Sequence, residues 1–203
     1  MPGRRAGEEE RKAQIPQAAY RVAAQRGLDR LTVRLVASEA GLSSGLVHFH
    51  FKTKEALLIA LLDRVLETTT VLRVSEEIAA MPSPLDRLLA LLRQEMDRLT
   101  RDRGQIRVFF DFWSMGMRSS RVRRRMRAEL SRYREAFRPM AEEVLAAEPE
   151  RFPGVTAEGL AAVSVGFIKG CAVQSVIDAE HFDVAQFITA ANGLMAQLES
   201  TAA

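Results

Sequence analysis

Between Thr32 and Lys54 the chain sets hydroxyls, histidines, an aromatic ring and two lysines at intervals suited to gripping phosphate and touching base edges. Thr32, Ser43 and Ser44 offer hydroxyl donors. Gly45 adds no side chain and lets a surface come close. His48, Phe49 and His50 project polar and apolar ring edges. Lys52 and Lys54 flank the start of a further helix, where backbone N–H groups and a lysine together favour an anion. No catalytic constellation accompanies them. There is no Gly-x-Ser-x-Gly, no Gly-rich phosphate loop and no His-Glu-x-x-His. His48 and His50 lie two residues apart, on nearly opposite helix faces, with no third ligand nearby, so no metal site is expected. Cys171 and His181 make no credible nucleophile pair, since Cys171 falls in a packing helix. We therefore expect a binder, with no cofactor, no metal and no catalytic residue.

The elements that position these residues read as helices throughout. Ile15, Ala18, Ala19, Val22 and Ala23 follow the i, i+3, i+4 rule, and Gly27 stops that helix. Pro16 lies inside it and removes one backbone hydrogen bond, which predicts a kink or a late start, with residues 1–14 as an arm. Thr32 caps a short helix to Ala40, Gly41 supplies the turn, and Ser43 caps a second short helix to about His50. Val36, Ala37, Ala40, Leu42 and Val47 are apolar where the two helices must pack on each other. This pair leaves Ser44, Gly45, His48 and Phe49 facing outward, the layout of a helix-turn-helix that enters a major groove. Thr53 caps a long helix running past Val71. Pro82 and Pro84 mark a break, and helices follow over 84–101, 104–117 and about 120–146. A loop spans 148–154, and two more helices start after Thr156 and Asp183. No alternating strand pattern appears. The chain reads as all-α with about nine helices, divided into residues 1–53 for DNA binding and 54–203 for the rest.

The stretch from Thr32 to Leu58 resembles the DNA-binding signature of the TetR family of regulators. The matching features are the Thr opening the second helix, Ala40-Gly41 at the turn, the Ser43 cap, the closing aromatic Phe51, and Lys54-Glu55-x-Leu57-Leu58. The resemblance implies that Thr32, Ser43, Ser44 and Lys54 touch the DNA backbone, and that Gly45, His48 and Phe49 lie at base edges. His48 stands where the family commonly has Tyr, which would let the contact respond to pH. Leu35 is apolar where the family is commonly polar.

In the C-terminal part, Leu160, Val163, Phe167, Gly170, Gln174 and Ile177 repeat in steps of three and four, a helix–helix seam. Phe187, Ala191, Leu194 and Leu198 form one apolar face of the last helix. By spacing alone this pair either fills its own core or joins a second copy; the resemblance implies a homodimer. A dimer suits a short reader, because two recognition helices on successive major-groove faces read a palindrome. Phe109, Phe112, Trp113 and Gly116 share a face that is either ordinary core or one wall of an apolar cavity. Met96, Met126, Tyr133, Phe137, Phe167, Cys171 and Gln174 would complete such a cavity. The resemblance implies a small-molecule effector there, and the Phe-Trp pattern is similar to the BetI-like branch.

Charge is unevenly spread. Residues 1–54 hold 10 Lys/Arg against 5 Asp/Glu, and the remainder is slightly acidic. A basic end fits a polyanionic partner. The run Arg118–Arg138 breaks the pattern with nine arginines. It is a solvated face, an anion site or an additional DNA contact. With one cysteine no internal disulfide forms, which with the uncharacteristic N-terminus for a leader points to the cytoplasm. No membrane span is expected. The expected protein is a homodimeric repressor that a small apolar or amphipathic ligand releases from a palindromic operator. The alternative is an effector-independent DNA-binding protein with a filled core.

Overall fold

The computed structural model of the chain describes residues 2–196 and contains, among them, helices and no strands. In chain order the helices are α1 (Pro2–Arg26), α2 (Val33–Ala40), α3 (Ser44–His50), α4 (Lys54–Thr69) and α5 (Glu76–Ala79). They continue with α6 (Pro84–Arg101), α7 (Arg103–Arg118), α8 (Ser120–Ala147), α9 (Ala157–Ile177) and α10 (Val184–Ala196), with a 3-10 turn over Pro149–Arg151. The additional helix is α5, a single turn capped by Ser75 and burying only Ile78. So short an element carries no periodicity to read.

Two sequence expectations are corrected. α1 runs unbroken through Pro16 and begins at Pro2, not after an arm. Proline removes one donor, while Ile15, Ala18 and Ala19 around it are fully buried and hold the helix in place. α4 ends at Thr69 instead of passing Val71. There the Thr68 and Thr69 hydroxyls donate to the Val65 carbonyl at 3.0 and 2.8 Å, competing with the next backbone donors.

The chain forms two compact units that interleave in sequence. Unit 1 contains residues 1–69 and 107–127; unit 2 contains 70–106 and 128–203. Unit 1 thus joins α1–α4 to most of α7 and the first turns of α8. Its core includes Ile15, Ala19, Leu31, Val36, Val47, Leu57, Leu61, Phe109 and Phe112. Each fully buried Ile, Leu, Val or Phe side chain here contributes about 1.5–3 kcal/mol relative to exposure. Leu35 packs against the edge of this core, which accounts for its apolar character. α7 is also tied to the end of α1: Arg107 donates to the Ala24 carbonyl, and the half-buried Asp111 accepts from the Leu28 amide.

Unit 2 is built on α6 against α9 and α10. Ser83 caps α6 by accepting from the Asp86 amide at 3.2 Å, with Pro84 at the first helical position. Leu85, Leu88, Leu91, Leu92, Met96 and Leu99 then bury one stripe. α9 is 21 residues long and apolar enough, by length and composition, to cross a membrane. Its inward face is buried against neighbouring helices and includes the polar residues Ser164, Lys169 and Ser175, of which Lys169 is the costly one.

Candidate DNA-reading motif and effector region

The helix-turn-helix is assembled by local hydrogen bonds that the sequence encodes directly. Thr32 has extended backbone geometry, and its hydroxyl accepts from the Leu35 amide at 3.2 Å. α2 ends at Gly41, whose φ of 65° is open to glycine at little cost. The Gly41 and Leu42 amides return to the Ser38 and Ala37 carbonyls, satisfying the end of the helix. Ser43 repeats the capping arrangement for α3, accepting from the Leu46 amide at 3.2 Å. Val47 is fully buried and fastens α3 to the unit. Phe51 and Leu57 bury the segment that follows, and the Thr53 hydroxyl caps α4 through the Ala56 amide at 3.0 Å.

This packing fixes which residues face solvent. Thr32, Ser43, Gly45, His48, Phe49, Lys52 and Lys54 are exposed; Ser44 and His50 are half-buried. Phe49 is 67% exposed, an unusual position for a large apolar ring, and meets the His50 ring edge-on at 5.3 Å. The outer end of α2 is held to α1 by Arg21, which bonds Glu39 at 2.6 Å, and by Gln14, which donates to the Ala40 carbonyl at 3.2 Å. Eight of the nine residues singled out in the sequence thus lie on α3 or within four positions of it, and the ninth, Thr32, caps α2.

The expected cavity residues divide between the units. Phe109, Phe112 and Met126 are buried in the core of unit 1, with Trp113 packed against it. The Phe109 and Trp113 rings lie 5.8 Å apart, and a side chain at Gly116 would meet the Met126 sulfur at 3.5 Å. In unit 2, Met96, Tyr133, Phe137 and Cys171 are fully buried, whereas Phe167 is half-buried and Gln174 exposed. Burial, with the Asp97 charge, raises the Cys171 thiol to about 11, so it stays protonated and unreactive near neutral pH. Two open grooves of about 460 Å³ also lie in unit 2. One runs past Ala90, Arg93, Gln94, Asp97, Arg101 and Asn192. None of the expected wall residues lines either groove.

Sequence reasoning missed a buried polar cluster in unit 2. Glu95 is fully buried, and Arg98 grips both its carboxylate oxygens at 3.0 and 2.6 Å. The Tyr133 hydroxyl donates to the same carboxylate at 2.7 Å. The Lys169 ammonium sits 5.1 Å from the centre of the Tyr133 ring. Burial and then the Glu95 charge push the Tyr133 phenol far above its usual value. Burial, reinforced by Arg98 and opposed by Glu95, lowers Lys169 to about 7. The signal was present in the sequence: Glu95 falls on the leucine stripe of α6, and Lys169 interrupts the apolar α9.

The proposed seam residues also separate. Val163, Gln174, Ile177 and Leu194 face outward, Gly170 and Phe187 are half-buried, and Leu160 and Ala191 are buried within their own unit. Leu198 lies outside the described residues.

A capped α2, a glycine turn, and an α3 that buries Val47 while exposing Gly45, His48 and Phe49 define a helix-turn-helix protein of the DNA-binding class, joined to a second helical unit. Comparison with known families narrows this. Residues 15–61 match the model for bacterial regulatory proteins of the tetR family, and residues 84–199 match the BetI-type transcriptional repressor C-terminal domain. The chain belongs to the TetR family of transcriptional regulators, in its BetI-type branch. The HTH-type transcriptional regulator BetI of Burkholderia ambifaria is 28% identical over 169 residues, 83% of this chain and 86% of that protein. Its counterpart in Burkholderia mallei is 27% identical over 93% of each. A regulator from Saccharomonospora viridis, solved in complex with choline, has a TM-score of 0.75 at 19% identity, covering 93% of this chain and 97% of that one. The Bacillus subtilis regulator FadR, solved with stearoyl-CoA, has a TM-score of 0.71 at 20% identity, covering 92% and 98%. These structures share the fold.

Proposed function

We propose that this regulator is a cytoplasmic, non-enzymatic homodimer that represses transcription from a palindromic operator and is released by a small ligand. In this reading residues 1–53 read DNA, and residues 54–203 bind the ligand and dimerise. The observation that carries it is the exposure of Gly45, His48 and Phe49 on α3 between the Ser43 cap and the lysine pair Lys52 and Lys54. Ser43, Ser44, Thr32 and Lys54 anchor the backbone, and His48 and Phe49 meet base edges.

Release follows from linkage. A ligand that binds one dimer conformation better shifts the population toward it, and operator affinity falls by the same coupling free energy. The Glu95–Arg98–Tyr133–Lys169 cluster supplies polar groups to orient a ligand among the apolar side chains of unit 2. Choline and long-chain acyl-CoA are the first ligands to try, since fold neighbours hold them.

A second reading, DNA binding without an effector, is favoured by the full burial of Met96, Tyr133, Phe137 and Cys171, which leaves these candidates packed. One experiment separates the two. The protein is bound at fixed salt to DNA from just upstream of its reading frame and titrated with choline and stearoyl-CoA. A drop in operator affinity of at least fivefold with one ligand supports the repressor. Ligand binding at saturation with unchanged DNA affinity defeats ligand release, and an absence of binding by either ligand favours the second reading.

A further inference from the structure

The run that begins at Arg118 places six arginines and no acid within residues 118–127. The structure accounts for three of them. Arg123 donates to the Gly116 and Met117 carbonyls at 2.9 and 2.8 Å, which closes the α7–α8 corner on itself. Arg121 pairs with Glu55 at 3.4 Å, and Arg125 grips Asp63 at 2.6 and 3.0 Å. Arg118, Arg124 and Arg127 are exposed, and no ion pair holds them among the described residues.

The two cross-helix pairs fix direction as well as position. Glu55 precedes Asp63 along α4, and Arg121 precedes Arg125 along α8, so the two helices run the same way. Glu55 and Arg121 are each the second residue of their helix. The start of α8 is therefore level with the start of α4, within unit 1. α4 starts at Lys54, four residues after the end of α3. The α7–α8 corner thus stands at the same end of unit 1 as Lys52, Lys54 and the recognition helix. Arg118 ends α7 at that corner. Arg124 lies about 60° around α8 from Arg121 and one turn along. Arg127, about 10.5 Å along α8 from its start, lies farther from the corner.

We propose that Arg118 and Arg124 form a second DNA-backbone anchor, binding phosphates beside the major groove that α3 enters. The proposal rests on the reading of α3 as the recognition helix. Glu55 and Asp63 have a defined part in it: they hold Arg121 and Arg125 to α4 and leave the two outer guanidinium groups to the nucleic acid. Planar guanidinium groups suit phosphate in this role, and the contact is independent of sequence.

The test measures the salt dependence of binding for the full-length protein on a duplex that the wild-type chain selects from a random pool. Arg118→Gln/Arg124→Gln is compared with Arg93→Gln/Arg101→Gln, which removes the same charge from α6, and with Lys54→Gln. Each phosphate contact contributes about 0.9 to the slope of log K against log salt. The expected result is a slope flatter by about 3.6 for the corner variant of the dimer, and unchanged for the α6 variant. The four substituted side chains in the two double variants carry no ion pair among the described residues and are exposed, so folding should be retained, and a thermal melt matching wild type documents it. An unchanged slope for the corner variant overturns the proposal, as does equal flattening in the α6 variant. If Lys54→Gln flattens the slope and the corner variant does not, only the corner anchor falls. If neither changes the slope, the reading of α3 and α4 falls with it.

Discussion

Lys169 concentrates the energetic conflict in the molecule. Its ammonium is almost wholly buried beside one carboxylate that Arg98 and Tyr133 already occupy. Burying an ammonium is costly, and burial, with Arg98 nearby, lowers its pKa to about 7. The sign of the linkage follows. The unfolded lysine titrates near 10.5, so between about 7 and 10.5 the unfolded state binds more protons and stability rises with pH. Below about 7 both states are protonated and the penalty is complete. Lys169→Met removes the group that carries this pH-dependent penalty and should therefore stabilise the protein, by on the order of 1 kcal/mol or more. The gain should be full at pH 6.5 and smaller at pH 9.5. Urea unfolding at the two pH values checks it, and a gain that grows with pH would show that burial of the charge is not the cause.

At the scale of the element, the two short helices of the DNA motif depend on their caps. α2 has eight residues and α3 seven, too short to persist by propensity. Thr32 has two roles here, since its hydroxyl caps α2 and is also assigned to a phosphate. Substitution can separate them. Thr32→Ala removes the cap and should cost about 0.5–2 kcal/mol. Thr32→Asp keeps a good cap but sets a negative charge against the DNA backbone. It should leave the unfolding midpoint near that of wild type and weaken operator binding at least tenfold. Equal DNA affinity in Thr32→Asp and wild type would place Thr32 away from the backbone.

At the scale of the whole molecule, α9 and α10 present an apolar outward face. Their outward residues include Val163, 49% exposed, Leu194, 64%, and Ile177, 81%. Small residues between them, Ala162, Gly166 and Gly170, allow another helix to come close. The proposed dimer buries this face. Ile177→Asp/Leu194→Asp should then give a monomer in sedimentation that still folds, because neither side chain belongs to its own core. Operator affinity should fall by orders of magnitude, since one α3 reads only half a palindrome. A dimer that persists in this variant would move the interface elsewhere.

The sequence by itself determined most of the helices and the capped turn between α2 and α3. Capping and turn residues act within four positions, so Thr32, Gly41, Ser43 and Ser83 announce their helix ends without any knowledge of the fold. The pattern from Thr32 to Leu58 is equally local, which is why Gly45, His48 and Phe49 on the outward face of α3 were legible, while Ser44 ends half-buried. Where a side chain ends up when several helices compete for it is a different matter. Phe109, Phe112 and Met126 share an apolar character with Tyr133 and Phe137, yet the structure places the first three in the core of unit 1 and the last two in unit 2. Leu160 and Val163 belong to one heptad seam, yet one turns inward and the other faces solvent. The pairing of Arg121 with Glu55, 66 residues apart, carries no periodic signature at all. Hydrogen bonds close to their donors are written in the order of residues; packing partners and long-range charge pairs are decided only when distant helices meet.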